Sequence, residues 1–390
     1  MVSFEDAYDQ VIQAACATVS ERIHLAGALH RILAGPVVSD TDMPPFDKSA
    51  VDGFACRRED LGKELECVET IPAGVVPGMS IKSGQCARIM TGSVVPEGAD
   101  MVMMVEDTVI TEKGRIRYVK ERSATNICYR AEDIHTGDVI LLPGILIRPQ
   151  EIAVLASAGC IHPEVYRQPS VGVISTGDEL VEPDMTPQWS QIRNSNSSQL
   201  IAQLAAMDIR GSYFGIARDH VESLVDRLRV AMDSCDVVLL TGGVSMGDYD
   251  HVPEAFERLK VKIMFHSIAI QPGRPTVFGM AERKYIFGLP GNPVSSFVIF
   301  EILVKPMLYK LMGHDHKPVR YRLPMGTTHS RKRSDRKSLI PVNIMDGKVV
   351  PVTYHGSAHI HSYVSADGII AMEAGTTRIN EGEMVDVRRI

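Results

Sequence analysis

Val237, Val238, Leu239 and Leu240 run without interruption into Thr241, Gly242 and Gly243, and this strand-then-turn limits the available folds more than any other stretch. Consecutive apolar residues with no polar alternation predict a strand buried on both faces, as in parallel sheets covered by helices. The Thr-Gly-Gly step turns the chain sharply at the strand's carboxyl end. Lacking a Cβ, glycine adopts positive φ without strain and lets its amide come close to an anion. Ser245, Gly247, Asp248 and Asp250 follow. Two carboxylates beside an anion-binding turn are a common way to hold a divalent cation against a phosphate. The same residues also make an ordinary solvated loop after an α/β strand.

The pattern recurs. Tyr285, Ile286 and Phe287 lead into Gly288, Leu289, Pro290 and Gly291, then Asn292 as a helix N-cap and Pro293 at the first helical position. Ser295 and Ser296 lie in the first turn of that helix, whose amino end favours anions. A third copy runs from Val171 through Ser175 to Thr176, Gly177, Asp178 and Glu179. Three such strands converge at one edge of a parallel sheet, where open α/β folds bind ligands. That convergence favours a phosphate-bearing ligand.

Around this centre, strands at 171–175, 212–216, 236–240 and 284–287 alternate with helices at 199–207, 221–232, 252–260 and 294–311. This is the order of a doubly wound parallel sheet. With 390 residues the chain exceeds a single core. Ser3 caps an amphipathic helix whose apolar positions run to Val19, and a second short helix is predicted over 25–33. From about 55 to 130, short apolar pieces are punctuated by turns such as Pro77-Gly78 and Ser83-Gly84, which predicts an all-β insertion. Pro149 and Gln150 open another helix that stops at Gly159. Beyond about 317, alternating strands and recurrent Asp-Gly turns fit a small β-barrel.

A formal net charge of −7 argues against broad binding to nucleic acid or anionic membrane, so an anionic substrate must be met by local cations. The seven cysteines are scattered with no C-x-x-C pair, which excludes a disulfide framework or a zinc knuckle. Reduced thiols, an acidic amino terminus without a signal-peptide pattern and no bilayer-length apolar run predict a cytoplasmic protein.

Three polar stretches carry further candidates. Between Pro44-Pro45 and Ala55, Lys48 and Ser49 suit an oxyanion, and Asp47 and Asp52 suit a cation or a pterin-like ring; a plain polar loop is the alternative. Gln271, Pro272, Gly273, Arg274, Pro275 and Thr276 form a proline-bracketed turn that either presents Arg274 to an anion or merely connects strands. Residues 331–337 hold a dense basic run, read as a solvated hairpin or as an arm reaching a neighbouring anionic site. His359 and His361 make an H-x-H pair without a third ligand in view.

Taken together and in order, these motifs resemble the molybdopterin molybdenumtransferase family, kin to the E domain of gephyrin. The resemblance rests on residues 47–55, Arg88 to Gly92, Glu132 to Ile134, Ser175 to Leu180, Gly242 to Asp250 and Gly288 to Ser295. It implies a doubly wound parallel α/β domain of molybdopterin-binding type at 169–313. A β-rich inserted domain at 46–133, a helical and extended linker domain at 1–45 and 134–168, and a C-terminal β-barrel at 314–390 would complete the subunit. It also implies a head-to-tail homodimer, with the cleft between the α/β domain of one subunit and the β-rich part of the other. The implied reaction inserts molybdate into adenylylated molybdopterin and releases AMP, assisted by magnesium. A molybdopterin adenylyltransferase would be the upstream partner.

Carried across by position, Asp52, Thr91 and Asp133 match residues important for activity, and Glu179, Asp219, Asp248 and Asp250 match acids at the nucleotide-facing edge. Asp248 and Asp250 are the expected metal ligands. Thr176, Gly177, Asp178, Gly242, Gly243, Ser245, Gly247, Gly288, Pro290, Gly291, Asn292 and Pro293 match the molybdopterin-nucleotide site. Arg274, Pro275 and Ser295 match a molybdate pocket, with Arg336 and Ser362 as candidates from the barrel. The chain departs from the family pattern at Gln271, where many relatives carry the first lysine of a K-P-G-K-P turn, and Arg274 replaces the second. Two other readings stand beside this one: a molybdopterin adenylyltransferase, which lacks the β-rich insertion and the loop at 44–53, and a non-catalytic scaffold on the same fold.

Overall fold

The computed structural model describes residues 1–244, 251–353 and 359–390. Helix α1 (Phe4–Ala14) starts where Ser3 Oγ accepts from the Asp6 amide at 3.0 Å, and it buries Ala7 and Val11. It ends before Val19. The helix expected over 25–33 is reduced to a 3-10 turn, Leu25–Gly27. The reason is that Ile32 and Leu33 find their apolar partners in extended form, through bridges to Leu146 and Val165.

Six strands between Gly53 and Tyr118 build a β-rich unit. Strands β1 (Gly53–Cys56), β2 (Glu64–Ile71), β3 (Gln85–Ile89), β4 (Met101–Met104), β5 (Thr108–Ile110) and β6 (Ile116–Tyr118) make one sheet in the order β4-β1-β3-β2-β6-β5. Successive side chains point to opposite faces. Phe54, Cys56, Cys86 and Met103 therefore fill one small core, while Ala55, Ala87, Ile89 and Val102 fill another. Helix α2 (Pro149–Ser157) follows with proline in its first turn, and packs with Leu33, Val37 and Val165.

The central unit runs β7 (Val171–Thr176), β8 (Leu180–Val181), β9 (Ile192–Arg193), α3 (Ser195–Ala205), β10 (Gly211–Ala217), α4 (Val221–Ser234), β11 (Val237–Thr241), α5 (Val252–Arg258), β12 (Lys262–Phe265), β13 (Ile270–Gln271), β14 (Val277–Ala281), β15 (Lys284–Leu289), α6 (Pro293–Ile299) and α7 (Lys305–Leu311). A π-helical stretch, Phe300–Val304, joins the last two helices. The sheet order is β10-β7-β11-β15-β14-β12. Its first four strands are parallel, and β14 and β12 add antiparallel at the edge. β12 has only four residues and β14 is interrupted by Gly279, so the two give little sequence signal.

Helices cover both faces. Val171, Val173, Val237, Leu239 and Phe287 face α3, α6 and α7, with Ala7 and Val11 of α1 in the same core. Ile174, Val238, Leu240 and Ile286 face α4 and α5. Each such side chain removed from water contributes about 1.5–3 kcal/mol before ordering costs, which explains why the four-residue apolar run specifies the middle of the sheet. Helix α1 thus shares the core of the α/β unit, against which Leu146 and Tyr166 also pack. Val2 extends this attachment, its backbone N–H donating a hydrogen bond to the Ser267 carbonyl at 3.0 Å.

The carboxyl-terminal strands β16 (Arg320–Pro324), β17 (Lys337–Met345), β18 (Lys348–Pro351), β19 (Gly368–Met372) and β20 (Met384–Arg389) form a mostly antiparallel sheet around Met325, Ile340, Val342, Val349, Ile370 and Val387. Strand β13 of the central unit joins this sheet, pairing parallel with β17. Among the described residues no helix is long and apolar enough to cross a membrane.

Candidate active site

The registers fix where the glycine turns fall. Thr241 lies beside Leu289, and Ser175 beside Thr241, so β7, β11 and β15 end at one level of the sheet. A cavity of about 520 Å3 opens there, lined by Thr176, Gly177, Glu179, Asp219, Gly242, Gly243, Pro275, Pro290, Gly291, Asn292 and Pro293. These candidates, drawn from three strand ends and their loops, are brought together. The size lies within the range of small-ligand sites.

The turn after β11 needs glycine for two reasons. Gly242 and Gly243 have φ of 89° and 64°, and a Cβ on them would lie 2.5 Å and 2.7 Å from the Thr176 carbonyl and hydroxyl oxygens. The turn is therefore wedged against the end of β7. The Gly242 amide donates to the Leu289 carbonyl at 3.1 Å, so it serves the sheet and not a ligand. Gly288 sits inside β15, buried beneath Val244, and is a packing residue away from the cavity lining. Ser295 is buried in the first turn of α6 and does not line the cavity either. Asp178 is exposed, points to Arg218 at 3.8 Å and stands outside the lining. Ser245, Gly247, Asp248 and Asp250 lie outside the described residues, so the expected metal pair is outside them too.

Several lining residues escape the sequence reading. Asn196, buried in the first turn of α3, donates from Nδ2 to Thr241 Oγ1 and to the Gly291 carbonyl, both at 2.8 Å. It ties the end of β11 to the loop before α6. Its Oδ1 has no partner among the described residues. Asn194 caps α3 by accepting from the Ser197 amide, and its Oδ1 also accepts from Ser175 Oγ at 2.9 Å. From there the chain of bonds continues through Asn194 Nδ2 to Tyr213 Oη and on to Glu182. Burial first, then the Glu182 carboxylate, pushes the Tyr213 phenol up to about 12, so it stays protonated and donates. Asparagine before an apolar helical repeat is an N-cap signal, and it placed this helix start within reach of sequence reasoning.

The acids in the lining are Glu179 and Asp219, with Arg193 as the cation. Thr176 Oγ1 approaches Asp219 Oδ1 at 3.4 Å. Among the described residues no group of three or more His, Cys, Asp or Glu side chains is placed to hold a metal.

Asp52, Thr91 and Asp133 are not part of this lining. The Thr91 amide and hydroxyl both donate to Asp52 Oδ1, at 2.7 and 2.8 Å. Those bonds, the amide first, hold the Asp52 carboxyl below its ordinary range. Asp133 is exposed on the turn beyond Ile127–Cys128, which pairs with Lys48–Ser49, and its amide donates to the Met43 carbonyl. Ser49, expected to face an oxyanion, is buried and donates to the Val51 carbonyl at 2.6 Å.

The turn at 271–276 lies between two cavities. Pro275 lines the first, whereas Gln271 lines a second of about 600 Å3 with His329, Ser330, Arg331, Lys332 and Arg333. Arg274 is exposed and lines neither. The basic run thus does reach a neighbouring unit. Arg336 pairs with Asp335 at 3.2 Å, and Ser362 Oγ donates to the His359 carbonyl at 2.8 Å; neither lines this second cavity.

The chain matches three family models in succession. These are described as the MoeA N-terminal region (domain I and II) over residues 2–159, a probable molybdopterin binding domain over 172–310, and the MoeA C-terminal region (domain IV) over 327–390. The molybdopterin molybdenumtransferase of Staphylococcus epidermidis strain RP62A is 33% identical over 399 residues, spanning 99% of this chain and 95% of the relative. That of Staphylococcus aureus strain Mu50 is 35% identical over 319 residues, spanning 80% and 76%. A crystal structure of the molybdopterin biosynthesis MoeA protein from Pyrococcus horikoshii OT3 superposes over 100% of both chains, with a TM-score of 0.86 and 28% identity.

Proposed function

The chain belongs to the molybdopterin molybdenumtransferase family, enzymes that insert molybdenum during molybdenum cofactor biosynthesis, and we propose that it does so by transferring molybdate into adenylylated molybdopterin with release of AMP. The observation that carries this reading is the single cavity at the carboxyl ends of β7, β11 and β15, with Thr176, Gly177, Gly243, Gly291 and Asn292 around it. Loop backbone and small polar side chains suit a phosphate link, and Glu179 and Asp219 suit its counter-ion.

Magnesium fits this donor set, because it commonly binds through one or two carboxylates together with phosphate oxygens. Asp219 and Glu179 are the described residues that would hold it, and Asp248 and Asp250 keep that role by their position in the sequence. When bound, the ion neutralises charge on the phosphates and favours departure of AMP. The chain's own part is to orient: Asn196 fixes the two loops against each other, and Thr176 sets the Asp219 carboxylate at the rim.

Asp52, Thr91 and Asp133 act, in this reading, in the cleft of a head-to-tail homodimer, each subunit's β-rich unit facing the other's cavity. Their exposure and their absence from their own chain's cavity support it. Molybdate enters near the 271–276 turn, with Arg274 and the second cavity beside it. The four-part division at 46, 134, 169 and 314 is supported by cores confined to the β-rich unit, to the linker and to the carboxyl-terminal sheet, while the main core joins Ala7, Val11 and Ile32 to the α/β unit. An adenylyltransferase supplies the activated pterin.

A reconstitution tests the assignment. The purified chain given adenylylated molybdopterin and molybdate should release AMP, and ATP with plain molybdopterin should give nothing. Turnover of ATP would assign the chain to the adenylylation step instead.

A further inference from the structure

The loop between β8 and β9, residues 182–191, stands at the mouth of the cavity. Its two ends are part of the lining, since Leu180, Ile192 and Arg193 all face the space. The loop is held firmly. Arg193 Nε donates to the Met185 carbonyl at 3.1 Å, the Ile192 amide to the Glu179 carbonyl at 2.9 Å, and the Gln191 amide to the Gln188 carbonyl at 3.0 Å. Pro183 and Pro187 restrict its backbone further. Tyr213 bonds Glu182 at its base and connects it, through Asn194, to Ser175 on the cavity wall.

On this ordered loop sits Trp189, the chain's one tryptophan, fully exposed. Met185 and Ile192 on either side are exposed as well. An indole held out in water by a fixed loop gains nothing for the fold, and a free aromatic face beside a ligand cavity is a stacking surface. Trp189 lies three positions before Ile192, so its Cα lies within about 11 Å of that lining residue. The cavity is open at its mouth, and an adenylylated pterin carries two ring systems joined by a diphosphate. A diphosphate seated among the glycine turns directs one of those rings toward the mouth.

We infer that Trp189 is a binding residue that stacks on a fused heteroaromatic ring of the substrate at the cavity mouth. The inference rests on the function proposed above. The ring is either the adenine or the pterin, and both present the same flat face. Because Trp189 touches neither the diphosphate nor the acids, it contributes binding that is equal in ground and transition states. Its loss raises KM and leaves kcat nearly unchanged.

The sole tryptophan is its own reporter. Titrating the full chain separately with AMP and with unsubstituted pterin, while following tryptophan emission, should give saturable quenching in one arm or in both, and the responding arm names the ring. In Trp189→Leu the affinity for that probe, measured by equilibrium dialysis, should fall about ten-fold, with Trp189→Phe in between. Dialysis also separates the two levels of the argument. If the native chain binds neither probe, the proposed function itself fails. If it binds a probe, yet emission does not change at saturation and Trp189→Leu binds equally well, the stacking role alone is overturned. Emission that is already blue-shifted in the free chain and moves to the red on dilution would place a second copy of the chain on the indole, and would overturn it as well.

Discussion

Replacing Asn196 separates the two loops that form the cavity, and its cost can be worked from the bonds. Asn196→Ala removes two hydrogen bonds of 2.8 Å made by a buried side chain. Each bond is worth about 0.5–1.5 kcal/mol net. The groups left behind are partly satisfied: Thr241 Oγ1 still donates to the Pro290 carbonyl at 3.4 Å, and the exposed Gly291 carbonyl meets water. The expected loss is therefore about 1–2 kcal/mol, near the lower end for two bonds. Asn196→Asp keeps the shape but replaces the amino donor with a buried carboxylate facing the Gly291 carbonyl. That group lacks a cation, so the loss should exceed that of the alanine variant by at least about 1 kcal/mol. Urea unfolding followed by far-UV circular dichroism reads both losses as shifts in midpoint at constant slope. Saturating AMP should widen the gap between native chain and Asn196→Ala, because the native cavity binds the nucleotide more tightly. An aspartate variant as stable as the alanine one, or an alanine variant within about 0.5 kcal/mol of the native chain, would refute the clamp.

Gly242→Ala forces a side chain into φ of 89° with its Cβ 2.5 Å from the Thr176 carbonyl oxygen, and should cost about 1–3 kcal/mol or more and weaken AMP binding; Gly291→Ala, whose Cβ meets only the Gly242 Cα at 3.6 Å among the described residues, should lie within about 0.5 kcal/mol of native in the same unfolding assay. Asp52→Ala should lower the unfolding midpoint only slightly, because the two bonds from Thr91 that it loses are solvent-exposed, and should abolish AMP release. Because bonds from Thr91 lower the Asp52 pKa, its carboxylate stays ionised below the usual carboxylate range, and Thr91→Val should move the acid limb of the pH–rate profile upward. His316, stacked on Tyr309 at 4.6 Å, is lowered to about 4, chiefly by burial. Its neutral form is the folded one, so the unfolded chain takes up the proton first as pH falls. Stability should therefore drop between about pH 6.5 and 4, by at most about 3 kcal/mol, and His316→Phe should flatten that window in acid-unfolding curves.

What could be read from the sequence followed from patterns that are local and physically forced. The Val237–Leu240 run has no polar face, so it had to sit in the middle of a covered sheet, and Gly242 and Gly243 had to turn there. Pro293 after Asn292 marks a helix start for the same kind of reason. What could not be read depends on partners distant along the chain. The stretch over 25–33 has helical spacing, but Ile32 and Leu33 bridge to Leu146 and Val165, and long-range pairing overrode it. Gly288 repeats the motif of a phosphate turn yet is a strand residue, because Val244 packs over it. Asn196 carries no conspicuous motif. Its role appears only when two strand ends, far apart in the chain, are set side by side.

The same logic bears on Gln271, where the family pattern would put a positive charge. A chain of net charge −7 cannot attract an oxyanion by its overall field, so cations must be placed locally. Here they arrive from the carboxyl-terminal sheet. Pairing of Ile270 with Lys337 and of Gln271 with Ser338 holds the basic loop before β17 against the turn, while His329 and Ser330 at its other end pair with Ile379 and Arg378. Lys337 is occupied structurally, bridging Glu5 at 2.7 Å and Glu373 at 3.0 Å. Arg331 donates to the carbonyls of Thr376, Arg336 and Glu373, which fixes the loop's shape, and burial lowers its pKa. A guanidinium bonded to carbonyls keeps its charge without a carboxylate in contact, and it lines the cavity that Gln271 also lines. The neutral glutamine is then a donor and acceptor beside an existing positive field. The cations beside this turn come from the loop that leads into the strand paired with it.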